Sequence, residues 1–158
     1  MEISLTSAAR MLMPRTVRTR RMWLDACAAF EDAREACNDA DLLGKVAYLE
    51  RMSSALWRYG DRSCCLAAVQ AMKIARLLVA QGKQSSMPRT VLASDLDGAV
   101  LDLGDVLDSA GRSYSDPAVQ NVDVLTELLW SCGDDTHTRA AIRLQRIAVT
   151  LIQSGASV

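Results

Sequence analysis

The only histidine of the chain lies in a short segment that also carries a cysteine and two aspartates. Cys132, Asp134, Asp135 and His137 are residue types that ligate zinc, and together they form a conceivable half-site. One histidine excludes any site that needs two, and no second cluster completes tetrahedral ligation unless a partner subunit supplies it. We therefore expect no metal and no cofactor, and we interpret His137 as a polar residue in the first turn of a helix.

A second acidic segment has two aspartates separated by one residue and followed by a glycine. Asp95-Leu96-Asp97-Gly98 resembles the nucleophile loop of haloacid dehalogenase-like phosphatases, and Gly133-Asp134-Asp135 resembles the later acidic magnesium motif of that family. The resemblance implies that Asp95 attacks phosphate and that Asp97 acts as general acid and base. A phosphatase-like hydrolase is thus the alternative to our prediction, which is a non-enzymatic chain with an exposed acidic helix face at this segment.

The cysteines could supply thiol chemistry at one place, where Cys64 and Cys65 are adjacent. The total of five is odd and no Cys-x-x-Cys pair occurs, so we expect reduced, mostly buried thiols rather than a disulfide framework. Neighbouring residues of a helix point about 100° apart, which suits a disulfide switch poorly. We predict that one of the two thiols is buried and that the other lies at a helix edge.

A basic cluster precedes the first tryptophan. Arg15, Arg18, Arg20 and Arg21 place four guanidinium groups within seven residues. Such a cluster can neutralise nucleic-acid phosphates and release counterions. The sequence pI is about 5.8 and aromatic residues make up only 4% of the chain. We therefore favour an acidic protein surface as the partner, including residues 95–108 of another subunit, and keep a nucleic-acid-associated regulator as the alternative.

The elements that must position these groups come from a repeat. Residues 13–17 and 87–91 are both Met-Pro-Arg-Thr-Val, and residues 57–83 and 130–156 share nine identities in 27 positions at an offset of 73. We interpret the chain as a tandem duplication. Its parts are an N-terminal arm at 1–12, a first repeat at 13–83, a linker at 84–88 and a second repeat at 87–158, packed as one globular domain.

Apolar residues at steps of three and four predict three helices in each repeat. Half of the residues are hydrophobic and few are aromatic, which favours close-packed helices. Asp39 or Asp41 can cap the second helix, while Asp116 and Pro117 mark the start of its counterpart in the second repeat. The sequence therefore predicts an all-α bundle of about six main helices.

Three positions shared by the repeats, six residues in all, form a turn motif that we interpret as a set of structural anchors. Glycine can end one helix at positive φ, and the aspartate after it can cap the next. Leu56-Trp57-x-x-Gly60-Asp61 before an alanine-rich helix resembles the turn of tetratricopeptide helical hairpins, which implies stacked antiparallel helices. The arginine shared by the pentapeptides, Arg89 in the second repeat, is predicted to pair with Asp134 or Asp105. The anchors are Trp57, Trp130, Gly60, Gly133, Asp61 and Asp134.

The repeats differ most in charge. Residues 13–86 hold twelve basic and eight acidic residues, a balance of +4, whereas residues 87–158 hold five and ten, a balance of −5. Opposite halves can assemble head to tail or offer each half to a different partner. We expect a cytoplasmic protein-binding module: an adaptor, a chaperone-like protein, or a bacterial or phage regulator or inhibitor that sequesters a partner. No membrane partner is expected, and a homo-oligomer is conceivable. The predicted partner-binding residues are Arg18, Arg20, Arg21, Asp95, Asp97, Asp102, Asp105 and Asp108.

Overall fold

The computed structural model describes residues 17–80, 89–91 and 93–158, and these residues form six α-helices and no strand. The predicted all-α class is confirmed. The first three helices are α1 (Val17–Glu35), α2 (Ala40–Tyr59) and α3 (Arg62–Val79). The other three are α4 (Ala93–Ser109), α5 (Pro117–Ser131) and α6 (Asp135–Ser154).

Side-chain caps fix where four of the helices begin. Asp39 accepts a hydrogen bond from the amide of Leu42 and so caps α2, which decides between the two aspartates considered for that role. Asp61, Asp116 and Asp134 cap α3, α5 and α6 in the same way. Each carboxylate satisfies an amide that has no partner within the helix, and it also suits the positive end of the helix dipole.

Glycines allow the sharp turns that join these helices. Gly60 ends α2 with a φ of 90°, and Gly133 follows α5 with a φ of 78°. Residues with a Cβ rarely adopt this left-handed conformation, so a glycine at each position lets the chain reverse immediately before the capping aspartate.

The third helix of each half is the central one. α1 and α2 both pack on α3, and α4 and α5 both pack on α6. α3 and α6 pack on each other, and α2 makes smaller contacts with α5 and α6. One continuous core cluster contains buried residues from all six helices. Its fully buried members include Leu49, Leu56, Leu107, Leu129 and Leu144.

One contact between α3 and α6 joins positions that the sequence alignment treats as equivalent. Arg143 Nη1 donates to Gln70 Oε1 at 3.2 Å, and the two residues are separated by 73 positions, the offset of the alignment. If a two-fold axis related the two halves, equivalent residues close to that axis would contact each other in this way. The crossing is compatible with a duplicated unit, whose origin stays an interpretation of the sequence.

The prediction for the adjacent cysteines is wrong. Cys64 and Cys65 are both fully buried, and burial raises the pKa of Cys64 to about 11. α1 and α2 both lie on α3, so side chains that leave this helix about 100° apart are both covered. A protonated, buried thiol is a poor nucleophile.

Some predicted features lie outside the described residues. They are the arm at 1–12, Arg15 in the basic cluster, the 13–16 part of the first pentapeptide, and the linker at 84–88.

Candidate functional site

The outer face of α4 is acidic along its whole length. Asp97, Leu101, Asp105 and Asp108 follow one another at steps of four, four and three, so they form one line on the helix. The buried residues Ala99, Leu103 and Leu107 define the opposite side, which faces α6. We call the line of Asp97, Leu101, Asp105 and Asp108 the acidic face. Asp95 and Asp102 are also exposed, and both lie beside it on the same side of the helix.

An apolar side chain lies in the middle of this face. Leu101 is 69% exposed, although α4 is otherwise arranged with its leucines inward. Asp97 and Asp105 lie one turn before and one turn after it. A protruding leucine framed by carboxylates presents both an apolar contact and a charge pattern on the same helix face.

The charges of α4 do not compensate one another. The helix contains no basic residue, and among the described residues no lysine, arginine or histidine forms an ion pair with its aspartates. Asp105 and Asp108 repel each other at a spacing of three, and Asp108 lies in the last turn, where the helix dipole is negative. Each such effect costs roughly 0.2–1 kcal/mol. A basic partner would remove this cost.

Helical geometry separates the two aspartates of the phosphatase-like motif. Asp95 and Asp97 belong to the first turns of α4, and side chains two residues apart on a helix point about 160° from each other. The implied nucleophile and the implied acid/base therefore leave the helix in different directions. No strand precedes them in the described chain.

The basic cluster begins α1. Arg18, Arg20 and Arg21 are all exposed, and two exposed apolar residues accompany them. Val17 is 87% exposed and Leu24 is 54% exposed. The opposite side of the helix packs on α3 through Ala26 and Phe30. The structure thus leaves the basic start of α1 and the acidic face of α4 on two helices that pack on different central helices.

The second pentapeptide and the second turn motif, which the sequence treats as separate, meet in space. The amides of Thr90 and Val91 both donate to Asp135 Oδ1, at 2.6 and 2.9 Å, and the Thr90 hydroxyl donates to Asp135 Oδ2. These hydrogen bonds lower the pKa of Asp135 to about 2, with the Thr90 hydroxyl as the largest cause. The segment 89–91 is therefore clamped on the start of α6.

Arg89 completes this clamp. Its guanidinium donates to Thr138 Oγ1 at 3.0 Å and to the carbonyl oxygen of Trp130, and it lies 3.4 Å from the centre of the Trp130 ring. We predicted a carboxylate partner for Arg89, whereas the structure gives it a hydroxyl, a carbonyl and an aromatic face. A planar guanidinium suits a ring face as well as it suits a carboxylate.

The other residues of the conceivable zinc half-site have protein partners of their own. His137 Nδ1 lies 2.9 Å from both carboxylate oxygens of Asp134, which also caps α6. Cys132 Sγ donates to the carbonyl of Leu128 at 3.4 Å, and burial raises the pKa of this thiol. The three side chains serve the turn between α5 and α6.

The two shared tryptophans are both half-buried, but they have different surroundings. Trp57 stacks on Trp23 with ring centres 4.6 Å apart and planes 3° from parallel. Trp130 carries the Arg89 guanidinium on its face. Position 96, which aligns with Trp23, is a leucine, so the tryptophan stack exists only in the first half.

A cleft of about 580 Å³ lies where α2, α5 and the end of α6 meet. The ion pair of Arg112 with Asp116, at 2.6 Å, borders it. The Tyr48 hydroxyl is buried and has no hydrogen-bond partner among the described residues, and burial followed by the nearby Asp116 raises its pKa to about 12. The phenol is neutral at physiological pH.

The sequence identified the exposed arginines and aspartates but missed Leu101. A signal was present, because Leu101 lies away from the stripe of Ala99, Leu103 and Leu107. The sequence analysis also missed the contact of Thr90 with Asp135. The repetition of the pentapeptide that contains Thr90 was the only indication that this segment has a structural role.

Comparison with known proteins gives no assignment. No family model matches the chain, and no curated protein or solved structure matches it. Among the described helices, none is both long and apolar enough to cross a membrane.

Proposed function

We propose that this protein is a non-enzymatic protein-binding module whose binding surface is the acidic face of α4. The observation that carries the proposal is Leu101, exposed in the middle of a helix face whose other members are aspartates that form no ion pair with any described residue. The occupant that fits is a basic amphipathic helix, which would bury the leucine and bring lysine or arginine to the carboxylates.

Two features of the scaffold support this function over a hydrolase. The implied catalytic pair, Asp95 and Asp97, lies on one helix with its side chains about 160° apart, an arrangement that disfavours joint contact with one phosphate. The buried side of α4 packs on α6, which holds the outer face on a rigid element. A preorganised helix face loses little conformational entropy when a partner binds.

The test is binding of a fluorescently labelled synthetic peptide made of leucine and lysine at helical amphipathic spacing. A scrambled peptide of the same composition measures nonspecific charge attraction. We expect the patterned peptide to bind at least about tenfold more tightly than the scrambled one, because only the patterned peptide covers Leu101 while pairing with the aspartates. Fluorescence anisotropy measures both affinities.

Matched substitutions locate the surface. Leu101→Ser and the pair Asp97→Asn with Asp105→Asn are each expected to weaken binding about tenfold, from lost apolar burial and lost ion pairs respectively. Val124→Ser and Glu127→Gln change an exposed valine and an exposed carboxylate on α5 and should leave binding unchanged. Equal affinity for the two peptides, or equal effects of the α4 and α5 variants, would overturn the proposal.

A further inference from the structure

The start of α1 has the shape of a socket for one side chain. Val17, Arg20, Arg21 and Leu24 occupy positions i, i+3, i+4 and i+7, which is the set of four that forms a hole in knobs-into-holes packing. All four are exposed, and they lie opposite the side that packs on α3. We call this set the basic hole. Its ends are apolar and its sides are guanidinium groups.

The acidic face of α4 carries a matching knob. Leu101 protrudes, and Asp97 and Asp105 lie on either side of it along the helix. A leucine inserted between Val17 and Leu24 would place these carboxylates beside Arg20 and Arg21. The apolar and the charged parts are therefore complementary in the same docked arrangement.

We infer that the occupant of the acidic face is a second copy of this chain, which docks through its basic hole. The inference rests on the proposed function of the acidic face and names its partner. Leu101 of one copy inserts between Val17 and Leu24 of the next, and aspartates flanking Leu101 pair with Arg20 and Arg21.

The charges farther along α1 define how the helices cross. Asp25 and Glu35 are exposed and would repel an α4 that ran alongside α1, whereas Glu31 is paired with Arg34 at 2.5 Å. A steep crossing confines the contact to the first two turns of α1 and avoids this repulsion. The positive end of the α1 dipole adds to the attraction for carboxylates.

The two surfaces differ from each other, so the contact is heterologous. α1 packs on α3 and α4 packs on α6, which leaves the hole and the knob of one molecule available to two different neighbours. Such an interface closes into a ring or continues as an open chain of molecules. A single helix crossing buries less area than a standard stable interface, so the assembly exchanges and depends on concentration and salt.

Charge exchange between two variants tests this directly. One variant carries Arg20→Asp and Arg21→Asp, and the other carries Asp97→Arg and Asp105→Arg. Each has like charges on its hole and knob, so each is expected to associate at least about tenfold more weakly than the wild type. In an equimolar mixture, the acidic hole of the first variant can bind the basic knob of the second. The basic hole of the second variant can bind the acidic knob of the first, so association is expected to return. Sedimentation velocity at low and high ionic strength gives the masses.

The controls use exposed arginines outside both surfaces. Arg62→Asp with Arg146→Asp should assemble like the wild type, and circular dichroism checks that every variant is folded. Folded variants whose mixture remains monomeric would overturn the inference, as would a wild type that is monomeric up to its solubility limit. If the wild type is monomeric but still binds the leucine and lysine peptide through Asp97 and Asp105, only the inference that the partner is a second copy is overturned. The proposed function then stands.

The same variants also test whether the basic hole binds nucleic acid instead. If the wild type is monomeric and binds duplex DNA, and if Arg20→Asp with Arg21→Asp abolishes that binding, the basic hole is a phosphate-binding surface and the inference is wrong. If DNA binding is absent and mixing restores assembly, the arginines belong to the interface between copies.

Discussion

The hydroxyl of Ser53 links the first three helices through two hydrogen bonds. It accepts from Trp23 Nε1 at 3.0 Å and donates to the carbonyl of Ala68 at 2.9 Å. The Ser53 side chain is fully buried, and Trp23 is half-buried. The same serine also holds Trp23 in position for its stack on Trp57.

Replacing Ser53 with alanine should therefore destabilise the fold. Ser53→Ala leaves the indole N–H of Trp23 without its buried acceptor, and we expect a loss of about 1–3 kcal/mol in the free energy of unfolding. Urea denaturation measures it. Ser54→Ala is the matched control, because Ser54 is the exposed neighbour on the same helix. Equal stability of the two variants would contradict this role for Ser53.

Asp135 makes the clamp on residues 89–91 sensitive to acid. Its pKa is lowered to about 2 by hydrogen bonds from Thr90 and Val91, whereas a free aspartate titrates near 3.9. A lowered folded pKa means that the stabilisation is fully present above about pH 4 and is lost as the pH falls through about 2. We expect the NMR amide signals of Thr90 and Val91 to move with that low midpoint.

A substitution separates this effect from general acid unfolding. Asp135→Asn lacks the charge that receives three hydrogen bonds, so the amides of Thr90 and Val91 should exchange faster with solvent at neutral pH. Asp25→Asn, an exposed change on α1, should leave them protected. If both amides exchange as slowly in Asp135→Asn as in the wild type, the clamp does not depend on this carboxylate.

Two glycines in the second half show why the same residue type has opposite roles in different elements. Gly98 lies inside α4 with no atom within 4 Å of the place a Cβ would take, while Gly133 has a positive φ of 78° at the end of α5. Gly98→Ala should stabilise the protein by about 0.5–1 kcal/mol, because alanine loses less backbone entropy in a helix. Gly133→Ala should destabilise it by about 1–2 kcal/mol.

Thermal unfolding measures both variants, and the sign of the Gly98→Ala effect also bears on the phosphatase resemblance. A loop that cradles phosphate needs glycine, whereas an exposed helix interior favours alanine. Destabilisation by Gly98→Ala would be inconsistent with the α4 described above.

The elements that the sequence predicted well depend on neighbours in the chain. Gly60 with Asp61, and Asp116 with Pro117, are turn and capping signals that act over two to four residues. The stack of Trp23 on Trp57 and the contact of Thr90 with Asp135 join residues 34 and 45 positions apart, and no local pattern encodes them. For the candidate site, polarity alone indicated the exposed arginines and aspartates, whereas Leu101 could be recognised only from its position relative to the stripe of Ala99, Leu103 and Leu107.

At the scale of the molecule, the two halves share one core yet differ in surface charge. α3 and α6 provide the shared contact, whereas the basic hole and the acidic face lie on the outer helices α1 and α4. This arrangement allows surface residues to change without disturbing the central crossing. It also predicts that the halves do not unfold separately, because neither central helix is covered without the other.

Leu144 tests this coupling. It is fully buried on α6, and Leu144→Ala should cost about 2–5 kcal/mol through lost contacts and a cavity. Tryptophan fluorescence can report the unfolding of each half separately. In the variant Trp130→Phe, fluorescence comes from Trp23 and Trp57 in the first half. In the variant with Trp23→Phe and Trp57→Phe, it comes from Trp130 in the second half. We expect Leu144→Ala to lower the denaturant midpoint equally for both reporters, because one core joins α3 to α6. Val124→Ala, on an exposed site, should move neither. A midpoint that falls only for Trp130 would show that the first half folds independently of the second.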